Sequence, residues 1–117
     1  MNDLNSRTAR LADMQAVLYV TKAHPDLPLP FTGPDRAAFY FTVNTAPRDA
    51  REAVEEAKHV FAAELGVTFS RRNAQHGNGL RAIFWAQLDS GLLIELVVRA
   101  EDVEDLDERE LAQAALA

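Results

Sequence analysis

The sequence predicts an α+β fold, a mixed four-stranded sheet carried by an N-terminal, a middle and a short C-terminal helix. Three observations point there. A helical apolar period runs through the first 23 residues and returns between Pro47 and Gly66. β-prone runs then fill the second half, and Asp89-Ser90-Gly91 separates the last two as a tight turn would. Residues 79–98 hold the sole tryptophan, Trp85, and most large aliphatic side chains of the second half, so the core is expected to form around this hairpin.

The chain of 117 residues is most simply one domain, read as an α+β body over 1–100 and an acidic helical tail over 101–117. There is no cysteine, which removes disulfides, thiolate metal sites and cysteine nucleophiles and favours a reducing, cytoplasmic setting. Met1-Asn2-Asp3-Leu4-Asn5 lacks the basic-then-apolar layout of a signal peptide. Glu95 breaks the apolar run of the last strand well short of the ~20 residues that a membrane helix requires.

Leu4, Leu11 and Leu18 recur with Met14 and Thr21 along one face of a first helix over 4–23, and Val17, Tyr19 and Val20 widen that stripe. Pro25 ends the helix by disfavouring the α conformation at His24. Pro25, Pro28 and Pro30 then make an extended connector whose Leu27, Leu29 and Phe31 strap it to the body. Thr32-Gly33-Pro34-Asp35 reads as a turn, and 37–44 as a first strand with Phe39, Phe41 and Val43 on one face and Tyr40 and Thr42 on the other. Pro47 and Asp49 suit the start of a second helix that runs to Leu65 and stops at Gly66. Its inner face carries Ala50, Ala53, Val54, Ala57, Phe61 and Leu65, while His59 faces outward.

Residues 67–72, 80–88 and 92–99 read as an antiparallel meander closed by His76-Gly77-Asn78-Gly79 and by Asp89-Ser90-Gly91. The first strand joins the meander through the middle helix, in a right-handed crossover if the two share the sheet. Strand order stays open. Asp107 and Glu110 have capping-box spacing, with Leu106 and Leu111 placed as a hydrophobic staple, so a short helix is expected over 108–116.

The first helix followed by His24-Pro25-Asp26-Leu27-Pro28-Leu29-Pro30 resembles small uncharacterised proteins of actinobacteria and their phages, over the first third of the chain. A composition rich in Ala and Arg, with Lys22 and Lys58 the only lysines, is similar too. The resemblance implies a host context and carries no chemistry.

Nor do the residues themselves assemble a catalytic constellation. His24, His59 and His76 fall at a helix end, on a helix surface and in a hairpin, without ligand spacing, and no metal or other cofactor is expected. Ser6, Ser70 and Ser90 lack a nucleophile-elbow context. The glycines of 77–79 open a strand and not a helix, which argues against a phosphate loop. The expectation is a protein that is not an enzyme.

Net charge is −6, all of it in the tail: Glu101, Asp102, Glu104, Asp105, Asp107, Glu108 and Glu110 face Arg109 alone. Val103 and Leu106 interrupt any calcium-loop pattern there. A neutral body with an acidic end disfavours direct binding to nucleic acid or to an anionic membrane. Arg71, Arg72, His76 and Arg81 form the nearest approach to a basic patch and are expected to pair with carboxylates, the tail's among them.

In the central hairpin, Leu80, Ala82, Phe84, Ala86 and Leu88 alternate onto one face with Leu92, Ile94, Leu96 and Val98. The opposite face takes Arg81, Ile83, Trp85 and Gln87, then Leu93, Glu95, Val97 and Arg99. A one-sided sheet would make that second set polar, yet Ile83, Trp85, Leu93 and Val97 are large and apolar. Either the first helix or the proline connector covers them, or they form the core of an interface, a homodimer included, inside a rim of Arg and Glu.

The functional expectation is a non-enzymatic interaction or regulatory module, a phage-linked or mobile-element accessory protein that binds another protein. Two alternatives stand beside it: an acidic tail that mimics nucleic acid towards a DNA-binding partner, and a small-molecule binder or enzyme whose site the sequence does not display. Ala114-Ala115-Leu116-Ala117 also resembles the small apolar tails read by bacterial unfolding proteases.

Overall fold

A computed structural model describes residues 3–41, 50–77 and 79–103. The elements run α1 (Asp3–Ala23), β1 (Phe31–Thr32), β2 (Arg36–Tyr40), α2 (Ala50–Leu65), β3 (Ser70–His76), β4 (Gly79–Gln87), β5 (Leu93–Arg99) and α3 (Ala100–Val103). They form an α+β fold around one mixed sheet in the order β1-β2-β5-β4-β3.

The sheet has five strands where the sequence predicts four. The connector does not stay a plain strap: Phe31 and Thr32 pair antiparallel with Ala38 and Ala37. Gly33 N donates to Arg36 O at 2.9 Å to close the turn. A two-residue strand has too little pattern to announce itself beside three prolines.

β3, β4 and β5 make the expected antiparallel meander, with His76 opposite Gly79 at one hairpin and Gln87 opposite Leu93 at the other. β2 lies parallel to β5, the strand furthest from it in the meander's sequence, with Ala37 opposite Ile94 and Phe39 opposite Leu96. β5 takes the middle because it is apolar on both faces, and its Ile94, Leu96 and Val98 are fully buried. β3, rich in polar side chains, is left at an edge, where charge discourages stray pairing.

Both long helices lie on the same side of the sheet. α2 supplies Val54, Ala57 and Phe61 and α1 supplies Val17 and Val20 to a cluster with Phe39, Phe84, Ile94, Leu96 and Val98. The heptad leucines of α1 do not form its buried stripe. Val17, Val20 and Thr21 do, while Leu11, Leu18 and Tyr19 are exposed. Only the C-terminal half of α1 packs into the core, so a 17–20–21 stripe suffices there. The Thr21 hydroxyl stays satisfied by donating to Val17 O at 2.9 Å.

Further up α1, the Ser90 amide donates to Asp13 Oδ2 at 3.2 Å, which pins the helix to the β4–β5 turn. In that turn Gly91 has φ 94° and its amide donates to Leu88 O at 2.9 Å. A Cβ on Gly91 would meet nothing closer than Arg10 at 3.8 Å, so the obstacle to substitution is the backbone alone. Gly91→Ala is therefore expected to cost about 1–2 kcal/mol in urea unfolding. α2 ends as the sequence predicts, on Gly66 at φ 67° with its amide donating to Ala62 O at 2.9 Å. The expected helix start at Pro47, Val43 of the first strand, the helix over 108–116 and the terminal Ala-Ala-Leu-Ala lie outside the described residues. No helix among the described residues is long and apolar enough to cross a membrane.

Candidate functional site

With α1 and α2 on one side, the other face of the sheet is covered by no element among the described residues. The strand pleat sends Ile83 and Trp85 from β4 and Leu93 and Val97 from β5 onto this face, as the alternation predicts. Register sets them in rows: Ile83 lies opposite Val97, Trp85 opposite Glu95 and Gln87 opposite Leu93. β2 extends the rows with Tyr40 opposite Val97, Ala38 opposite Glu95 and Arg36 opposite Leu93. The first helix and the proline connector are thus not the cover that the sequence left open.

Two members of the surface were not recognised from sequence. Phe31 stands opposite Ala38 and meets Tyr40 edge-on, ring centroids 5.3 Å apart and planes at 86°. Both rings are exposed, Phe31 at 69% and Tyr40 at 47%. The alternation puts Tyr40 on the correct side of its strand, but Tyr40 joins the patch only through the pairing of β2 with β5, and Phe31 only through that of β1 with β2. Val97, in contrast, is already 8% exposed within one chain and adds little accessible area.

Glu95 is not a rim residue. It is 4% exposed at the middle of the face and held from both sides. Arg72 Nη2 of β3 donates to Oε2 at 2.7 Å, and Arg36 Nη1 of β2 donates to Oε1 at 3.3 Å. Arg36 also lies 3.6 Å from Asp35. One carboxylate thereby ties the two sides of the sheet together across β5 and β4. A charge taken this far out of water requires such partners, since an unpaired one would ionise at a large cost.

The arginines of the β3–β4 hairpin do not make one basic patch, because Arg71 and Arg72 point to opposite faces. Arg71 bonds Asn73 at 3.2 Å and stands 5.8 Å over the Phe84 ring, which Lys58 approaches to 4.4 Å. Arg72 finds a carboxylate in Glu95. Arg81 lies opposite Arg99 in the ladder. Arg99 is met by Glu101 at 3.2 Å and by Asp102 at 3.0 Å. Its bond to Asp102 raises the guanidinium above its usual value; burial opposes and the Asp102 and Glu101 charges add.

The acidic segment begins inside the folded body: α3 follows β5 directly and buries Ala100 and Val103 in the core. Glu104, Asp105, Asp107, Glu108 and Glu110 lie outside the described residues. His24 sits 3.6 Å from Glu64 and His59 is exposed on α2. Among the described residues no three His, Cys, Asp or Glu side chains are close enough to share a metal ion. A cleft of about 510 Å³ opens between the proline connector and α2, with Leu27, Phe41 and Val60 along it and Asp26, Glu52 and Glu56 at its wall.

No protein-family model, no curated protein and no solved structure matches the chain.

Proposed function

We propose that this protein is a non-enzymatic interaction module that works by binding another protein through the open face of its sheet. The observation that carries the reading is the placement of both helices on one side, leaving Ile83, Trp85, Leu93, Tyr40 and Phe31 together on the other. Phe31 and Tyr40 are exposed there and Ile83, Trp85 and Leu93 are half-buried, a contiguous apolar group of the kind that marks an interaction site. The simplest partner is a second copy of the chain. The resemblance of the N-terminal third to actinobacterial and phage proteins supports an accessory role in the cytoplasm of such a host.

Immobilised wild-type protein and two variants, presented to lysate of the host, test the reading. Trp85→Arg is expected to keep its far-UV spectrum and lose a retained partner, whereas Tyr19→Arg, exposed on α1, keeps it. Equal retention by all three, together with a wild-type chain that is monomeric in solution, would sink it.

A second reading rests on the tail, whose acidic residues face one arginine, as a mimic of nucleic acid towards a DNA-binding protein. Because Val103 is part of the core, the truncation that tests it removes 104–117 and not 101–117. Loss of partner inhibition with an unchanged melting temperature is the expected result for mimicry. No change excludes it.

A further inference from the structure

The open face fits itself. Resting on the reading of that face as the working surface, we infer that its occupant is a second copy of this chain, packed sheet on sheet about a two-fold axis running along β5.

The register supplies the fit. Rotation about β5 exchanges the two flanks of the sheet row by row. Trp85 on β4 and Ala38 on β2 flank Glu95 in one row, so each Trp85 comes to lie over Ala38 of the partner subunit. Ile83 and Tyr40 flank Val97 in the next row and meet in the same way. Ser70 and Phe31 end the tryptophan row at its two sides, so the bulky ring of one copy faces the small side chain of the other. Large thus meets small at the outer positions and Ile83 meets Tyr40 at the inner ones. On the axis Leu93, Glu95 and Val97 each face their own counterpart, each Glu95 already held by Arg36 and Arg72 of its own chain. Two aligned sheets pack about 10 Å apart with interdigitated side chains, which is the space such pairs fill.

Charge points the same way. Arg36, Arg72, Arg81 and Arg99 on the face stand against four carboxylates, Asp35 and Glu95 beside the first two and Glu101 and Asp102 beside Arg99. A patch balanced within itself presents no excess to an oppositely charged partner, but it tolerates its own copy. Nucleic acid would meet a chain of net charge −6. The strand residues, at about 4.8 Å between strands and about 3.3 Å per residue, give a flat footprint of roughly 480 Å² per copy, about 1,000 Å² for the pair, the lower bound for a specific interface.

Trp85 is the only tryptophan, so the contact carries its own reporter. The full chain is expected to scatter light as a dimer, and dilution should halve the mass while its emission shifts to the red in step. Added salt should strengthen the pair, because it screens the repulsion between two chains of net charge −6. Tyr40→Arg, at a position 47% exposed and so harmless to the fold, should give a monomer with the red-shifted emission of the diluted wild type. A dimer that survives Tyr40→Arg, or whose emission ignores dilution, forms elsewhere and overturns the inference. A monomer at every concentration overturns it too. In that case the wider reading stands if Trp85→Arg still loses a captured partner, and falls with it if nothing is lost.

Discussion

Phe61→Ala is expected to remove about 3–5 kcal/mol of stability, enough to bring a domain of this size near unfolding. Phe61 is fully buried on α2 and stands 5.3 Å from the Phe39 ring of β2 and 6.5 Å from Phe69. Ala50, Ala53 and Ala57 of α2 are small and let the helix approach the sheet closely, Val54 is already fully buried and stiff at χ1, and Leu65, one turn on, is the α2 side chain able to lean towards the vacated space. Most of the cavity therefore persists, and its cost adds to the lost transfer energy. Thermal unfolding should fall by roughly 12–20 °C. Tyr19→Ala, at a site 71% exposed, should stay within about 0.5 kcal/mol of wild type. A loss below ~1 kcal/mol for Phe61→Ala would mean that α2 is not seated on the sheet as described.

The second large effect belongs to Glu95. Glu95→Lys sets a third cation between Arg36 and Arg72 at a position 4% exposed, and is expected to cost about 3–5 kcal/mol. Glu95→Leu should cost far less, within about 1–2 kcal/mol, because the side chain fills similar space and both arginines can turn back to water. Each of them is half exposed already, Arg36 at 50% and Arg72 at 48%. The gap between the two variants, read by urea denaturation, isolates charge from packing. Equal losses for Lys and Leu would show that the position is sensitive to shape alone.

Features set by neighbouring residues were legible in the sequence. The Gly66 helix stop, the 76–79 hairpin and the Asp89-Ser90-Gly91 turn each follow from chemistry within a few positions. So did the two faces of β4 and β5, because alternation needs no knowledge of partners. What escaped depends on residues distant in sequence. Phe31 reaches the open face only through its pairing with Ala38. The burial of Glu95 is made by arginines from two other strands, 59 and 23 residues away along the chain. The leucines of α1 misled for a related reason. A seven-residue recurrence describes a helix used along its whole length, and here only the Val17–Thr21 half is used.

The parallel pairing of β2 with β5 has a consequence for the order in which the molecule is built. Ala37 and Ala38 wait for Ile94 and Glu95, and no strand between them in sequence substitutes as a neighbour on that edge. As the chain leaves a ribosome, β2 therefore remains open along its β5 side while α2 and the β3–β4 hairpin are already out. Such late closure lengthens the mean span of contacts and slows folding relative to a local meander. It also defines the interval in which Phe39 and Phe41, later fully shielded, stand open to chaperones or to the wrong strand.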